Sequence, residues 1–285
     1  MSLFGLTLVL AAAFCHATWN FFVKRIGGGP ELVWLFSVVS VVLYMPLALY
    51  LLVTAAPEFG PEQIGFLAGS TVLHLAYFLL LQRGYRVGDL SLVYPVARAT
   101  GPLLSTGFAV AFLGERISGQ IALGGLAVIV GVLFLTGGIR RSVRSVVASI
   151  GFGLGAGLLI GSYTVWDAHA VAALAIPPLL LDYVSTCGRI VLLAPLAMRR
   201  RQLMAQHWRN HRGGVVAIAL FNPLAYILVL HALIFTPVVY VAPTRELSVL
   251  LTVVAGSILL GEGHLRRRLP WAGVIVAGVA LLATG

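Results

Sequence analysis

Apolar residues run along this chain in stretches of about 20, the length a helix needs to cross a bilayer core of about 30 Å. A window of that size places ten spans, at roughly 3–23, 32–54, 64–82, 90–113, 118–137, 147–168, 174–197, 214–235, 237–260 and 269–284. The polar joints between them are short. Those at Thr236-Pro237 and from Glu115 to Ser118 are so tight that the helices they connect must be antiparallel neighbours. No joint is long enough for a soluble domain. The N-terminal run lacks the basic segment of a secretory leader and reads as the first spanning helix.

Composition agrees with the pattern. Only 10% of residues are charged and 60% are hydrophobic, against about 25% charged in soluble domains. The net charge of +10 would point to nucleic acid in a soluble protein, but here the basic residues sit in the joints. Joints after helices 1, 3, 5, 7 and 9 hold fifteen Lys and Arg, from Lys24 and Arg25 to Arg266–Arg268, whereas the opposite joints hold Arg116 alone. That asymmetry predicts cytoplasmic odd joints and both termini on the outer side of a plasma (inner) membrane. Cys15 and Cys187 lie inside apolar runs, so no disulfide framework is expected.

The two halves repeat. At a constant offset of 147, Trp19-Asn20 meets Trp166-Asp167, Pro30 meets Pro177, Arg98 meets Arg245, Glu115 meets Glu262, and Gly131 meets Gly278. Five helices per half is an odd number, so the second copy enters the membrane inverted. The expected fold is an all-α integral membrane protein: ten transmembrane helices as two inverted five-helix repeats, residues 1–138 and 139–285, around a central cavity.

Ten spans in two five-helix halves, each ending its fourth helix in a Leu-Gly-Glu turn (LGER at 113–116, LGEG at 260–263) before a glycine-spaced fifth helix, resemble the EamA branch of the drug/metabolite transporter superfamily. HATWN at 16–20 and GDLSLVYPVAR at 88–98 resemble a subset of that branch linked to phosphonate use. The resemblance implies a ten-helix basket whose cavity is walled by helices 1, 3, 4, 6, 8 and 9, and a proton-coupled cycle. It leaves the substrate open. The small multidrug relatives carry a coupling glutamate in helix 1; this chain has no carboxylate there, which argues against cation antiport of that kind.

Arg98 and Arg245 stand out, because an arginine at the centre of a spanning helix costs about 2.5–3.5 kcal/mol on insertion scales. Each lies about eight residues, some 12 Å, into its span. Either they clamp an anion, since a guanidinium forks onto carboxylate or phosphate, or they form structural ion pairs with Asp167, Asp182 or Glu246, or cap opened backbone. Pro95 and Pro102 flank the first and Pro243 precedes the second; each frees an upstream carbonyl. His16 and Asn20 share a face of helix 1, as Tyr163 and Asp167 do in helix 6. His74 and Tyr77 on helix 3, Tyr94 on helix 4, and Asn222 and Tyr226 on helix 8 complete the expected cavity lining. His16, titrating near neutral pH, is either a coupling group or a hydrogen-bonded structural histidine.

Other features read as structural. Glu115 and Glu262 should bond the first amides of the helix that follows each. Gly153, Gly157 and Gly161, and Gly124, Gly131 and Gly138, should let helices approach closely. Asp182 and Arg189 share a face of helix 7 and would neutralise one another through a third group, and the runs Arg199–Arg201 and Arg266–Arg268 would meet lipid headgroups. No metal-ligand spacing, nucleotide loop or nucleophile–base pair occurs, so no cofactor, no catalytic residue and no nucleic-acid partner is expected. The sequence therefore predicts a secondary active transporter, not an enzyme, moving a small polar or anionic metabolite (an amino acid, organic acid or phosphonate) by alternating access. The alternatives are multidrug or hydrophobic-cation efflux and, outside transport, a membrane-embedded transferase.

Overall fold

In a computed structural model of the 285-residue chain, residues 1–57, 59–87, 90–135, 146–259 and 265–285 are described. Among them there are eleven helices and no strand: α1 (Leu3–Ile26), α2 (Pro30–Thr54), α3 (Pro61–Val87), α4 (Leu90–Leu113), α5 (Gly119–Leu135), α6 (Val146–Ala172), α7 (Pro178–Met198), α8 (Arg201–Leu233), α9 (Val238–Thr244), α10 (Leu247–Leu259) and α11 (Leu265–Thr284). Seven are long and apolar enough to cross a membrane, and α5 and the stretch Leu269–Thr284 are shorter apolar helices. Gly138, Gly261, Glu262 and most of the joint between the halves lie outside the described residues, as do the side chains of Tyr94, Pro95 and Arg266–Arg268.

Local chemistry sets the ends. Ser2 caps α1 by accepting the Gly5 amide at 3.1 Å, and Gly27 closes it at φ 70°, a left-handed conformation that glycine adopts without a Cβ penalty. Pro30 starts α2 at a position where its missing N–H costs nothing. Pro223 inside α8 has no N–H to give, which frees a carbonyl four residues earlier. Ser40 of α2 donates to that Ala219 oxygen at 2.9 Å, and Tyr44 to the Leu220 oxygen at 2.7 Å. Opened backbone inside the membrane thus finds partners from a neighbouring helix.

Two differences from the expected spans matter. The ninth span is two helices, because the chain turns at Arg245-Glu246 between α9 and α10. Pro243 cannot donate to the ladder, and the Glu246 amide reaches only to the Pro243 carbonyl at 3.0 Å, a three-residue step that ends the α-helical register. The corresponding α4 runs unbroken past Arg98. The eighth span begins thirteen residues earlier than the apolar window, since the polar stretch from Arg201 is helical and joins the span through a kink at His211.

Packing follows the repeat. α4 lies on α6 as α9–α10 lies on α1; α1 on α8 as α6 on α3; α2 on α8 as α7 on α3. The pairs α5–α11 and α2–α7 map onto themselves. Exchanging two five-helix halves therefore sends each of these contacts into another. Glycines make the close ones: a Cβ on Gly157 would fall 2.0 Å from Thr100 Oγ1, and one on Gly278 would fall 2.7 Å from the Gly124 carbonyl. The core extends through α1 and α3 to α11, around Val128, Leu181, Leu230 and Ile275.

Candidate functional site

The helix break puts two charged residues in the middle of the bundle. Arg245 is 7% exposed and Glu246 1%. Across from them on α4, Arg98 Nη2 lies 3.0 Å from Glu246 Oε2 and donates to Ser248 Oγ at 3.2 Å. The ion pair that was one of the readings for these arginines therefore forms at Arg98. Arg245 differs: its Nη2 is buried with no hydrogen-bond partner among the described residues, and no described carboxylate lies within ion-pair distance of it. A guanidinium in that condition keeps donors for something else.

A wall of rings stands beside it. Asp167 of α6 is fully buried; its carboxylate accepts the Tyr226 hydroxyl of α8 at Oδ2 and lies within reach of the Ser70 hydroxyl of α3. His74 of α3 holds the Ser70 carbonyl through Nδ1 at 2.9 Å, which leaves Nε2 facing Asp167 Oδ2 at 3.8 Å. Tyr163 stacks on His74 with ring centroids 4.2 Å apart and meets Tyr77 edge-on at 5.8 Å. The Tyr163 hydroxyl is within electrostatic reach of Arg245, Arg98, Glu246 and Asp167 together, which ties the ring wall to the helix break. The residues of this cluster come from α3, α4, α6, α8 and the α9–α10 break.

The other expected residues fall out as follows. His16 accepts from Trp19 Nε1 at 3.2 Å through Nδ1 and is within electrostatic reach of both arginines. Asn20 turns its amide back onto the His16 carbonyl at 2.8 Å, so its donor is spent on its own helix. Asn222 is half-buried one turn before Tyr226 and makes no hydrogen bond among the described residues. Tyr94 has no described side chain. Tyr163, noted in the sequence only as the twin of His16, is the ring that joins the whole cluster.

Two structural expectations need correction. Glu115 does not bond the start of α5, where Ser118 Oγ accepts the Ile121 amide at 3.2 Å. It reaches instead into the other half and accepts the Val238 and Val239 amides at the start of α9, at 2.7 and 2.9 Å. Proximity along the chain favoured α5, but the fold brings the start of α9 closer. Arg200 is more than a headgroup contact: Nη1 lies 2.9 Å from Oε2 of the buried Glu31, clasping the start of α2 to the start of α8. Arg189 donates to Thr186 Oγ1 at 3.1 Å.

The helical bundle with its broken central helix and buried charges defines a multi-pass membrane protein with a polar site between two halves. The model of the EamA-like transporter family matches the chain twice, at residues 3–137 and 147–284, and the chain belongs to that family, a membrane transporter family of the drug/metabolite transporter superfamily. A solved crystal structure superposes with a TM-score of 0.72 over 97% of this chain and 95% of that one; at 15% identity this shows the fold alone. No curated protein matches.

Proposed function

We propose that the protein is a secondary active transporter that carries a small polar or anionic metabolite across the plasma membrane by alternating access between residues 1–138 and 139–285. The observation that carries this is Arg245, a buried guanidinium at a helix break with donors to spare. A carboxylate or phosphonate would take them in bidentate fashion. The buried Asp167 carboxylate would accept an ammonium group, with the faces of Tyr163 and Tyr226 adding cation–π attraction. An amino acid uses both the guanidinium and the carboxylate and is the substrate this site fits best. Hydrophobic-cation efflux uses Asp167 but leaves Arg245 repelling the cargo.

Proton coupling is assigned to Asp167 and His74. With His74 Nδ1–H committed to Ser70, a proton added at Nε2 would pair with Asp167 Oδ2 3.8 Å away. Substrate and proton would then compete for one carboxylate, which is what an exchange cycle requires. The cytoplasm would face the Arg25–Arg200 end and the exterior the Glu115 end, following the basic joints. A proteoliposome flux screen over zwitterions, organic anions, phosphonates and hydrophobic cations, with and without a pH gradient, tests the proposal. Transport of zwitterions by wild type, lost in Arg245→Gln, supports it; transport of hydrophobic cations undiminished by that change contradicts it.

A further inference from the structure

At the end of the molecule where α1 stops and α8 bends at His211, a recess of about 530 Å³ opens between the two helices. Arg25 of α1 and Arg209, His211 and Arg212 of α8 line it, with Phe22 and Ile26. No carboxylate lines it, and none of the three arginines makes an ion pair among the described residues. The recess is thus positive and donor-rich with two apolar side chains in its lining, and it shares no lining residue with the Arg245 site.

The arm of α8 beside it says what kind of anion belongs there. α8 has 33 residues, about 50 Å at 1.5 Å per residue, so it outruns a hydrocarbon core of about 30 Å. Its non-helical residue, His211 at φ −137° and ψ 26°, separates the arm from Arg201 to Asn210 from the apolar span that follows. Along that arm Arg201, Ala205, Trp208 and Arg209 recur at helical spacing on one stripe, all exposed, while Met204 is buried against the protein. Trp with Arg on an exposed stripe at the end of a membrane span is the chemistry of a helix lying in the headgroup layer.

We propose that the recess binds the phosphate of an anionic phospholipid, with Arg25, Arg209 and Arg212 on the phosphate and Phe22 and Ile26 under the glycerol backbone. A soluble phosphate would use the arginines but neither the two apolar side chains nor the Trp208 stripe. The site is distinct from the transport site and does not depend on what that site carries.

The test is thermal unfolding of the purified full chain in detergent with added phosphatidylglycerol, phosphatidylcholine or inorganic phosphate. Phosphatidylglycerol should raise the wild-type midpoint by about 3 °C or more, as a ligand of the folded state does, and the other two should not. The Arg25→Gln/Arg209→Gln/Arg212→Gln variant should lose that rise, whereas Arg140→Gln/Arg141→Gln/Arg144→Gln, with the same net charge, should keep it. An equal rise in both variants, an equal rise from inorganic phosphate, or no rise in wild type overturns the proposal. Should the first variant fail to insert, single Arg→Gln changes at the three positions decide: each should lower the phosphatidylglycerol retained in native mass spectrometry severalfold, and unchanged retention in all three overturns it.

Discussion

Arg98 and Arg245 occupy matched places in the repeat but meet different neighbours, and they should fail differently when changed. Arg98→Gln strips Glu246 of its partner and leaves a buried carboxylate alone, which costs about 3–5 kcal/mol. Adding Glu246→Gln should recover most of that, since the pair rather than either charge is then removed; a double-mutant cycle in thermal unfolding would show it. Tyr226→Phe removes the hydroxyl from Asp167, a hydrogen bond to a charged group worth about 1.5–3 kcal/mol, and should lower the unfolding midpoint while leaving insertion intact. Asp167→Asn removes the acceptor that substrate and proton share, so it should lower substrate flux and abolish what acceleration by a pH gradient remains. Equal acceleration in this variant and wild type would move proton coupling elsewhere. Much of this cluster was legible beforehand because charge and periodicity single it out: Arg245, Asp167, His74, Tyr77 and Tyr226 all reach the same place. Asn20 shows what periodicity cannot supply. Its amide found a carbonyl one turn back, a choice made by the rotamer and not by the helix.

Elements carry the next level of the mechanism. α9 has only 7 residues, begins under the Glu115 carboxylate and ends at Arg245, so the cap that fixes its start also helps fix where the guanidinium sits. Glu115→Gln keeps one acceptor of two and removes the charge at the helix N-terminus, which should cost about 0.5–2 kcal/mol in stability. Flux should fall with it, measured in the same proteoliposomes; undiminished flux would make the cap merely structural. The contact of α4 with α6 rests on Gly153, Gly157 and Gly161, and an added methyl at Gly157 must displace Thr100. Gly157→Ala should therefore destabilise by about 1–3 kcal/mol as an overpacking change. The small-residue spacing announced this contact in the sequence, and Pro243 marked the place where α9 ends. The Glu115 cap, the Glu31–Arg200 clasp and the polar arm of α8 were not announced. The first two join residues more than 100 positions apart, and the third lacks the unbroken apolar run by which spans are recognised.

The molecule as a whole is two copies of a five-helix unit whose symmetry is obeyed in packing and broken at the centre. Helices α4 and α9–α10 are counterparts, yet one is continuous and pairs its arginine with an acid while the other is broken and leaves Nη2 of its arginine without a hydrogen-bond partner among the described residues. Exchange of those roles between the halves, with α4 opening as α9–α10 closes, is a route by which such a fold turns its site from one side of the membrane to the other. The site would then pass its guest between guanidinium groups during the cycle, and both would be needed for net flux. The direct measurement is uptake of a zwitterionic substrate into proteoliposomes holding wild type, Arg245→Gln, or Arg98→Gln/Glu246→Gln, each shown to be inserted and folded. Net flux should fall at least 100-fold in both variants. Wild-type flux in the Arg245→Gln variant would contradict a mechanism built on that side chain.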